Sequence, residues 1–250
     1  MKNISVLFIG ETWFYETTEF KGFDHFTVGG YEETTKWIKG AFDNDGFEFH
    51  HIASHEVHNK FPTTLEDIKK YDLILISDVG ANTFLLHPDT FYKSLVTTNK
   101  LNLIKEYVEQ GGAFGMIGGY LTFQGIDGKG QYKNTAIEEI LPVTLLANDD
   151  RVELPQGCRL TLGDEKHGIL SDFPNEWPVI FGYNRLIPKN HAEILIANGD
   201  DPIITIGQFG KGRTLAFATD CAPHWASPDF CEWEFYNVLW RRIATWLVNH

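Results

Sequence analysis

Short apolar runs that alternate with helical patterns are the feature that most constrains the fold of this chain. Ile4–Ile9, 72–78 and Ala113–Ile117 are almost wholly apolar, and a glycine or an acidic residue lies at their ends. Runs of this kind are typical of strands buried on both faces of a parallel sheet. Helical patterns occur between them, over Tyr31–Phe42, Thr64–Lys70 and Asn99–Glu109. The alternation predicts a doubly wound, mainly parallel α/β sheet with helices on both faces.

The second half of the chain has a different pattern. Residues 121–165 are rich in Gly, Asp and Asn and predict loops and short strands. Four later runs predict further strands, and the glycines of Phe209–Gly212 predict a hairpin turn, hence a C-terminal β-hairpin extension. A closing amphipathic helix is expected over Glu232–Leu247. Because no linker or repeat interrupts the sequence, residues 1–250 are predicted to form a single domain.

The charge balance excludes several classes of partner. The chain has 21 Lys and Arg against 34 Asp and Glu, a net charge of −13. We therefore expect no nucleic-acid partner and no membrane surface, since both attract basic proteins. Three cysteines without a CxxC pair, and an N-terminus unlike a signal peptide, predict a cytoplasmic location. The aromatic fraction of 14% is compatible with a large-residue core or with a subunit interface, so a homo-oligomer is possible.

The segment 114–121, with the sequence FGMIGGYL, carries the first resemblance to a known family. It resembles the nucleophile elbow of class I glutamine amidotransferases, in which an apolar strand runs into Gly-x-Cys-x-Gly. Aligned on Gly118, the pattern puts Tyr120 at the cysteine position, and a shift by one residue puts Gly119 there. The resemblance implies a flavodoxin-like fold with the nucleophile missing, and therefore a protein without glutaminase activity.

Phrases distributed over nearly the whole chain are similar to a group of uncharacterised glutamine amidotransferase-like proteins. They are Lys21–Asp24, Tyr71–Thr83, Met116–Tyr120, Gly182–Asn184, Gly210–Asp220 and Pro223–Trp225. The C-terminal hairpin followed by a strand and an acid also resembles trehalose-utilisation proteins, a related branch that lacks the cysteine. These resemblances imply a fold but no particular activity, because one fold supports many chemistries.

A ligand site is expected where the strands of the sheet end. Ligands of open α/β sheets bind beyond the carboxyl ends of the strands, where polar residues and glycines of this chain follow three predicted strands. Carboxylates and amides could bind the hydroxyls of a sugar. The glycines could expose main-chain N–H groups to a carboxylate. Asp, Asn and Gly residues also shape turns for purely structural reasons. The predicted binder of a small polar ligand, a sugar or a carboxylate, uses Glu11, Asp78, Asn82, Gly118, Gly119 and Tyr120.

An acid and a histidine follow the last predicted strand. His224 could act as a general base oriented by Asp220, with the Gly119 and Tyr120 amides stabilising developing charge in a hydrolase or isomerase. His224 could equally cap a loop beneath Trp225, in a noncatalytic structural or self-association module. Cys221 is an unfavourable nucleophile, because the neighbouring carboxylate would raise its pKa.

A polar and aromatic loop and a group of histidines are two further clusters of functional residue types. The polar and aromatic loop after the first strand is predicted to cover the cleft as a lid, with Glu11, Trp13, Lys21, Asp24 and His25. The histidines at 50, 51, 55 and 58 have a spacing that superficially suggests metal binding, but a strand end and a loop would not make them converge, so no metal is expected. The chain contains no GxGxxG after the first strand and no phosphate-loop pattern, so no cofactor is expected either.

Overall fold

The computed structural model describes residues 3–44, 46–163 and 167–249. Its strands, in chain order, are β1 (Ile4–Gly10), β2 (Thr12–Lys21), β3 (Asp24–Glu33), β4 (Phe47–Ile52), β5 (Leu73–Ser77), β6 (Ala113–Ile117), β7 (Val143–Thr144), β8 (Arg151–Cys158), β9 (Thr161–Leu162), β10 (Ile180–Asn184), β11 (Ile187–Pro188), β12 (Glu193–Asn198), β13 (Asp201–Phe209) and β14 (Gly212–Phe217).

The helices mostly connect these strands. They are α1 (Lys36–Phe42), α2 (Val57–Lys60), α3 (Leu65–Ile68), α4 (Ala81–Leu85), α5 (Pro88–Lys93), α6 (Lys100–Glu109), α7 (Ala136–Ile140), α8 (Pro228–Cys231) and α9 (Tyr236–Val248). Short 3-10 turns lie at Ser54–Glu56, Ile126–Gly128 and Gly168–Leu170. Among the described residues, no helix combines the length and the apolar character needed to cross a membrane.

Eight strands form one central sheet in the order β4-β1-β5-β6-β14-β13-β12-β9. The strands from β4 to β14 pair in parallel, and β13, β12 and β9 continue the sheet in antiparallel pairs. Every residue of β5 and β6 is buried. Helix α1 packs with α9, whereas α6 packs with α3, α4 and α7, so apolar helix faces cover the sheet. The predicted flavodoxin-like α/β fold with a C-terminal β-hairpin is confirmed.

Two predicted elements of the second half differ from the structure. Residues 121–165, expected to hold only loops and short strands, also contain α7 and the eight-residue strand β8. Strand β8 pairs with β10 in a separate antiparallel ribbon, with Arg151 opposite Asn184. The helical pattern of Glu232–Leu247 begins later than expected, at Tyr236.

The prediction of a lid loop after β1 is wrong, and so is the prediction of a helix in the first part of Tyr31–Phe42. Residues 12–33, here called the arm, form a regular hairpin in which β2 pairs with β3 from Thr12↔Glu33 to Lys21↔Asp24. Gly22, with φ of +68°, makes the turn. Thr, Phe and Tyr make up most of β2, and Phe26, Thr27, Val28 and Tyr31 lie in β3; the β-propensity of these residues outweighs the ragged helical pattern, so α1 begins only at Lys36.

The parallel part of the sheet determines where a site can form. Strands β1, β5, β6 and β14 are consecutive neighbours, and their carboxyl ends lie at one edge. The residues that follow them are therefore adjacent in space although they are far apart in sequence. Gly118, directly after β6, has little room there, because a Cβ atom on it would lie 2.1 Å from the carbonyl oxygen of Ala218.

Gly118→Ala is expected to destabilise the protein by about 3 kcal/mol or more, because the added methyl group meets fixed backbone. Gly40 in α1 is the matched control, since a Cβ there meets nothing within 4 Å. Gly40→Ala should stabilise by about 0.5–1 kcal/mol through its better helix propensity. Urea unfolding at one pH measures both changes, and equal free energies of unfolding for the two variants would contradict this packing.

Candidate functional site

Three carboxylate side chains and one imidazole meet at the carboxyl edge of the sheet. Glu11 follows β1, Asp78 follows β5, and Asp220 and His224 follow β14. Together with Tyr120, which follows β6, they line one cavity of about 510 Å³. This volume is in the range of small-molecule sites.

Glu11 and Asp78 have the same unusual backbone conformation. Their φ angles are +53° and +49°, a left-handed conformation that non-glycine residues adopt rarely. Each lies directly after a buried parallel strand, so the chain turns sharply there and the carboxylate faces the cavity. Such strain is commonly found at binding and catalytic sites.

The carboxylate of Asp78 holds the turn that follows β6. The amide of Leu121 donates to Oδ1 of Asp78 over 2.7 Å, and the Tyr120 amide adds a second hydrogen bond. Burial, followed by the nearby charge of Asp220, raises the pKa of Asp78 to about 6 in spite of these bonds. The main-chain donors that could have bound an external anion are therefore occupied by a side chain of the protein.

Two buried polar residues that sequence reasoning missed fix the rest of this turn. Asn184 accepts from the Gly119 amide over 3.0 Å and donates to the Gly119 carbonyl over 3.2 Å. Its amide also donates to Asp150 over 2.7 Å, and Asp150 accepts from the amides of Gln124 and Gly125. Asn184 belongs to the phrase Gly182–Asn184, which was noted only as part of a family resemblance.

The predicted roles of the turn's main chain therefore need correction. The Gly119 amide cannot stabilise developing charge, since Asn184 accepts its hydrogen bond, and the Tyr120 amide bonds to Asp78. Within the described stretch 118–135 the residues after the turn form bends and the 3-10 turn Ile126–Gly128, so no α-helix N-terminus faces the cavity. Gly118 and Gly119 allow close approach of Ala218 and Asp78, respectively.

Glu11 is the most buried acid of the cluster. Oε1 accepts from the Ser77 hydroxyl and Oε2 from the Thr34 hydroxyl, each over 2.6 Å. Burial raises the pKa of Glu11 well above its usual value, and the charges of Asp220 and Asp78 raise it further. Glu11 therefore keeps its proton to a higher pH than an exposed glutamate does.

Asp220 and His224 form an ion pair, and the Asp220 carboxylate lies within 4.8 Å of the Glu11 carboxylate. Nδ1 of His224 lies 3.6 Å from Oδ2 of Asp220, longer than a good hydrogen bond. The interaction with Asp220 raises the pKa of His224, although partial burial opposes it. Oδ1 of Asp220 accepts from the Ala222 amide over 3.0 Å, which fixes the carboxylate.

An aromatic group supports the histidine. The ring centroids of Tyr120 and His224 are 4.5 Å apart in an edge-to-face arrangement, and the His224 ring also stacks on Trp225 at 5.5 Å. Glu153 accepts from the Tyr120 hydroxyl over 3.2 Å and from Nε1 of Trp225 over 3.0 Å. Both rings are thereby held, and His224 remains exposed on its cavity side.

The cavity continues toward the base of the arm. Trp13, at the start of β2, lines it, and so do Leu121 and Ile126. A second cavity of about 410 Å³ shares Trp13, Asp78 and Leu121 with the first, and His55 and His58 line its far side. The site is therefore a two-chambered cleft with polar walls and aromatic surfaces.

Five of the eight predicted site residues line one cavity, whereas Gly118, Gly119 and Asn82 do not line it. Glu11, Asp78, Tyr120, Asp220 and His224 line the cavity. Asn82 does not, because α4 turns it to the surface, where its side chain bonds to Gln131 over 3.1 Å. Of the predicted lid residues, Lys21, Asp24 and His25 lie at the tip of the arm, away from the cavity that Trp13 lines.

The cysteines are placed as structural residues. Cys221 is fully buried with Sγ 3.7 Å from the Ser77 hydroxyl, and burial raises its pKa well above the usual value, with a further contribution from Glu11. Burial likewise raises the pKa of Cys231 to about 12. None of the contacts described for residues 118–120 involves a cysteine. A thiolate nucleophile at the elbow is therefore not formed.

Among the residues that the structure describes, one group of side chains has the spacing of metal ligands. The ligand atoms of Glu11, Asp220 and Cys221 lie within 4.8 Å of one another. Burial raises the pKa of both Glu11 and Cys221, so a cation would have to displace two protons from a closed space.

Glu11→Gln is expected to change how stability depends on pH. The raised pKa of Glu11 means that the folded protein retains a proton which the unfolded chain loses above pH about 4.5, so stability falls as pH rises through this window. The glutamine variant lacks this loss and keeps both hydroxyl partners. It should be more stable than the parent by about 1–3 kcal/mol at pH 8, with the advantage shrinking toward pH 5.

Urea unfolding at several pH values measures this difference. The exposed Glu16 provides the control, because Glu16→Gln should leave the pH dependence unchanged. A constant offset between Glu11→Gln and the parent at every pH would contradict the buried-acid assignment.

Known proteins resemble this chain in sequence and in fold. Residues 5–249 match the family described as "Putative glutamine amidotransferase". No curated protein sequence matches the chain significantly. A cytoplasmic protein of Salmonella typhimurium is 40% identical with a TM-score of 0.94, covering 97% of this chain and 98% of its own. A second, from Salmonella typhimurium LT2, is 43% identical with a TM-score of 0.94, covering 98% and 99%.

A more distant structure bears on the second resemblance. A protein of Parabacteroides merdae described as "thua-like" has a TM-score of 0.58 at 12% identity, covering 99% of this chain and 91% of its own. At this identity the likeness concerns the fold, and at that level it supports the relation to trehalose-utilisation proteins. The family match over nearly the whole chain and the two similar Salmonella structures lead to one conclusion: this chain belongs to the glutamine amidotransferase-like family.

Proposed function

We propose that this protein binds a small, uncharged, hydroxyl-rich molecule such as a sugar or polyol in the cavity at the carboxyl edge of the sheet. The observation that carries the proposal is the position of Asp78. Its carboxylate takes the main-chain hydrogen bonds of the elbow and lines the cavity together with Glu11 and Asp220. Carboxylates accept hydrogen bonds from ligand hydroxyls, and they repel a ligand carboxylate.

The walls of the cavity fit the same class of ligand. Trp13 and Tyr120 provide aromatic surface beside the carboxylates, which suits the apolar faces of a sugar ring. Burial raises the pKa of Glu11 and so favours its protonated form, which can donate a hydrogen bond, while Asp220 can accept one. Of the two ligand classes expected from the sequence, the sugar is therefore favoured over the carboxylate.

Glutaminase activity is not part of the proposal. Tyr120 and Gly119 occupy the elbow, and the buried thiol of Cys221 keeps its proton because its pKa is raised. The two similar Salmonella proteins are described as cytoplasmic, and we infer the same location for this chain.

Binding of neutral sugars and polyols should be detectable by ligand-observed NMR at pH 7.5, with sugar acids of the same size at least about tenfold weaker. Trp13→Ala should weaken binding of the neutral ligand by roughly tenfold, since it removes one aromatic wall. Trp37→Ala is the control, because Trp37 does not line the cavity. Preference for the sugar acids would refute the assigned charge of the site, and silence across a broad neutral panel would favour a noncatalytic self-association module.

A second candidate function is acid–base catalysis on the same ligand, by a hydrolase or an isomerase. The observation that favours it is the Asp220–His224 pair, which lines the same cavity as Glu11. His224 would remove a proton from the substrate and Asp220 would orient its ring. Glu11, whose raised pKa favours its protonated form, would supply a proton.

If the protein turns over its ligand, His224→Ala should reduce kcat by about 100-fold or more, because a positioned general base contributes this much. The exposed His191 provides the control variant, which should retain full activity. Product formation from the bound sugar is the measurement, with ammonia release from glutamine as the negative control. Undiminished turnover in His224→Ala would remove this histidine from the mechanism.

A further inference from the structure

The arm is a long exposed stretch of the described structure, and it carries several exposed aromatic side chains. Every residue from 13 to 29 is exposed. Exposure is high at the outer end, where Phe20 is 76% exposed and Phe23, in the tip, is fully exposed. Only its base rests on the body, where Phe14 and Tyr31 pack against His55.

Both faces of the arm carry apolar groups. On one face Phe14 pairs with Tyr31 at 5.1 Å and Phe20 with His25 at 5.7 Å. On the other face lie Tyr15, Val28 and Phe26, on alternate positions of the strands. A two-stranded ribbon exposed on both faces is only marginally stable in water, so this arm gains stability when another surface covers it.

The exposed area is sufficient for a specific interface. Its aromatic side chains together expose on the order of 800 Å², taking about 200 Å² for each fully exposed ring. Stable interfaces bury about 800 Å² per partner, whereas the largest apolar patch of a monomer is usually about 300–600 Å². Summed over its two faces, the aromatic surface of the arm therefore exceeds the largest apolar patch of a typical monomer.

The same chain has a second apolar patch that could receive the arm. Residues 86–96, here called the receiving segment, comprise α5 and the turn after it. Their exposed apolar side chains are Leu86, Phe91, Tyr92, Leu95 and Val96, with Tyr92 79% and Val96 99% exposed. Leu86 and Pro88 line one side of the second cavity, and Phe14 of the arm lines it too. The arm and the receiving segment thus form one continuous surface.

We infer that a second copy of this chain covers this surface, with the arm of each copy packed on the receiving segment of the other. Each strand of the arm has ten residues, which gives a reach of roughly 30 Å and takes the tip beyond its own body. A twofold arrangement uses both patches twice and leaves neither exposed. An anionic membrane is a poor alternative, since the arm has five acidic residues against Lys21.

Sedimentation equilibrium over about 1–100 µM tests the inference, and the parent protein should be a dimer in this range. Phe20→Ser with Phe23→Ser, at the arm tip, should raise the dimer Kd by about 100-fold or more. Tyr92→Ser with Val96→Ser, in the receiving segment, should do the same. Ile187→Ser removes an exposed apolar residue of β11 outside both patches and should change the Kd by no more than about twofold.

Cross-linking identifies which surfaces meet. In a Cys158→Ser background, mixed Phe23→Cys and Val96→Cys proteins should form a bismaleimide cross-link between copies, since Cys221 and Cys231 are buried. A monomeric parent would overturn the inference and would assign the arm to a different protein. A dimer that survives the arm variant, or one lost in the arm variant but kept in the Tyr92/Val96 variant, would overturn it as well.

Discussion

The hydrogen bonds from the turn after β6 to the carboxylate of Asp78 are the interaction on which the site depends. They hold the turn in an elbow-like conformation with a side chain instead of a substrate oxyanion as the acceptor. The side-chain oxygen of Asn184 accepts the hydrogen bond of the Gly119 amide in the same way. The fold therefore retains its sharp strand-to-turn geometry, but its main-chain donors are already satisfied, and the group presented to a ligand is an acid. The elbow therefore presents a carboxylate to a ligand, whereas free main-chain N–H groups would present partial positive charge.

A cluster of three carboxylates is costly to bury, and the structure shows how each is held. Glu11 is bound by two hydroxyls, Asp78 by main-chain amides, and Asp220 by the Ala222 amide. Burial and mutual repulsion raise the pKa of Glu11 and Asp78, so protonation of these groups offsets part of the repulsion. Left-handed backbone at both positions adds further strain. Acids held at such a cost, facing a cavity beside a histidine, are typical of functional sites.

The sequence predicted the central sheet well because its strands are buried on both faces. Ile4–Gly10 and Ala113–Ile117 are almost entirely apolar along their length, and this pattern is typical of few structures other than a strand buried on both faces. It also predicted that Glu11, Asp78 and His224 would converge, since the carboxyl ends of neighbouring parallel strands share one edge. The arm was missed because aromatics on both faces hide the alternation typical of a strand, although Gly22 between two runs that contain aromatic residues was a usable hairpin signal. Asn82 was misplaced because the short helix after β5 turns it outward, and the role of Asn184 depends on long-range pairing that no local pattern encodes.

The arm and the cavity share residues, so association and ligand binding are physically linked. Thr34, just beyond the arm, donates its hydroxyl to Glu11 and its amide to the Glu11 carbonyl, and this ties the base of the arm to the acid cluster. Trp13 begins β2 and is also a wall of both chambers. Packing of the arm on a second copy would restrict its motion and hold Trp13 in place. A cavity whose wall is already ordered requires less conformational entropy to be lost on binding, so an assembled protein should bind its ligand more tightly than a free chain.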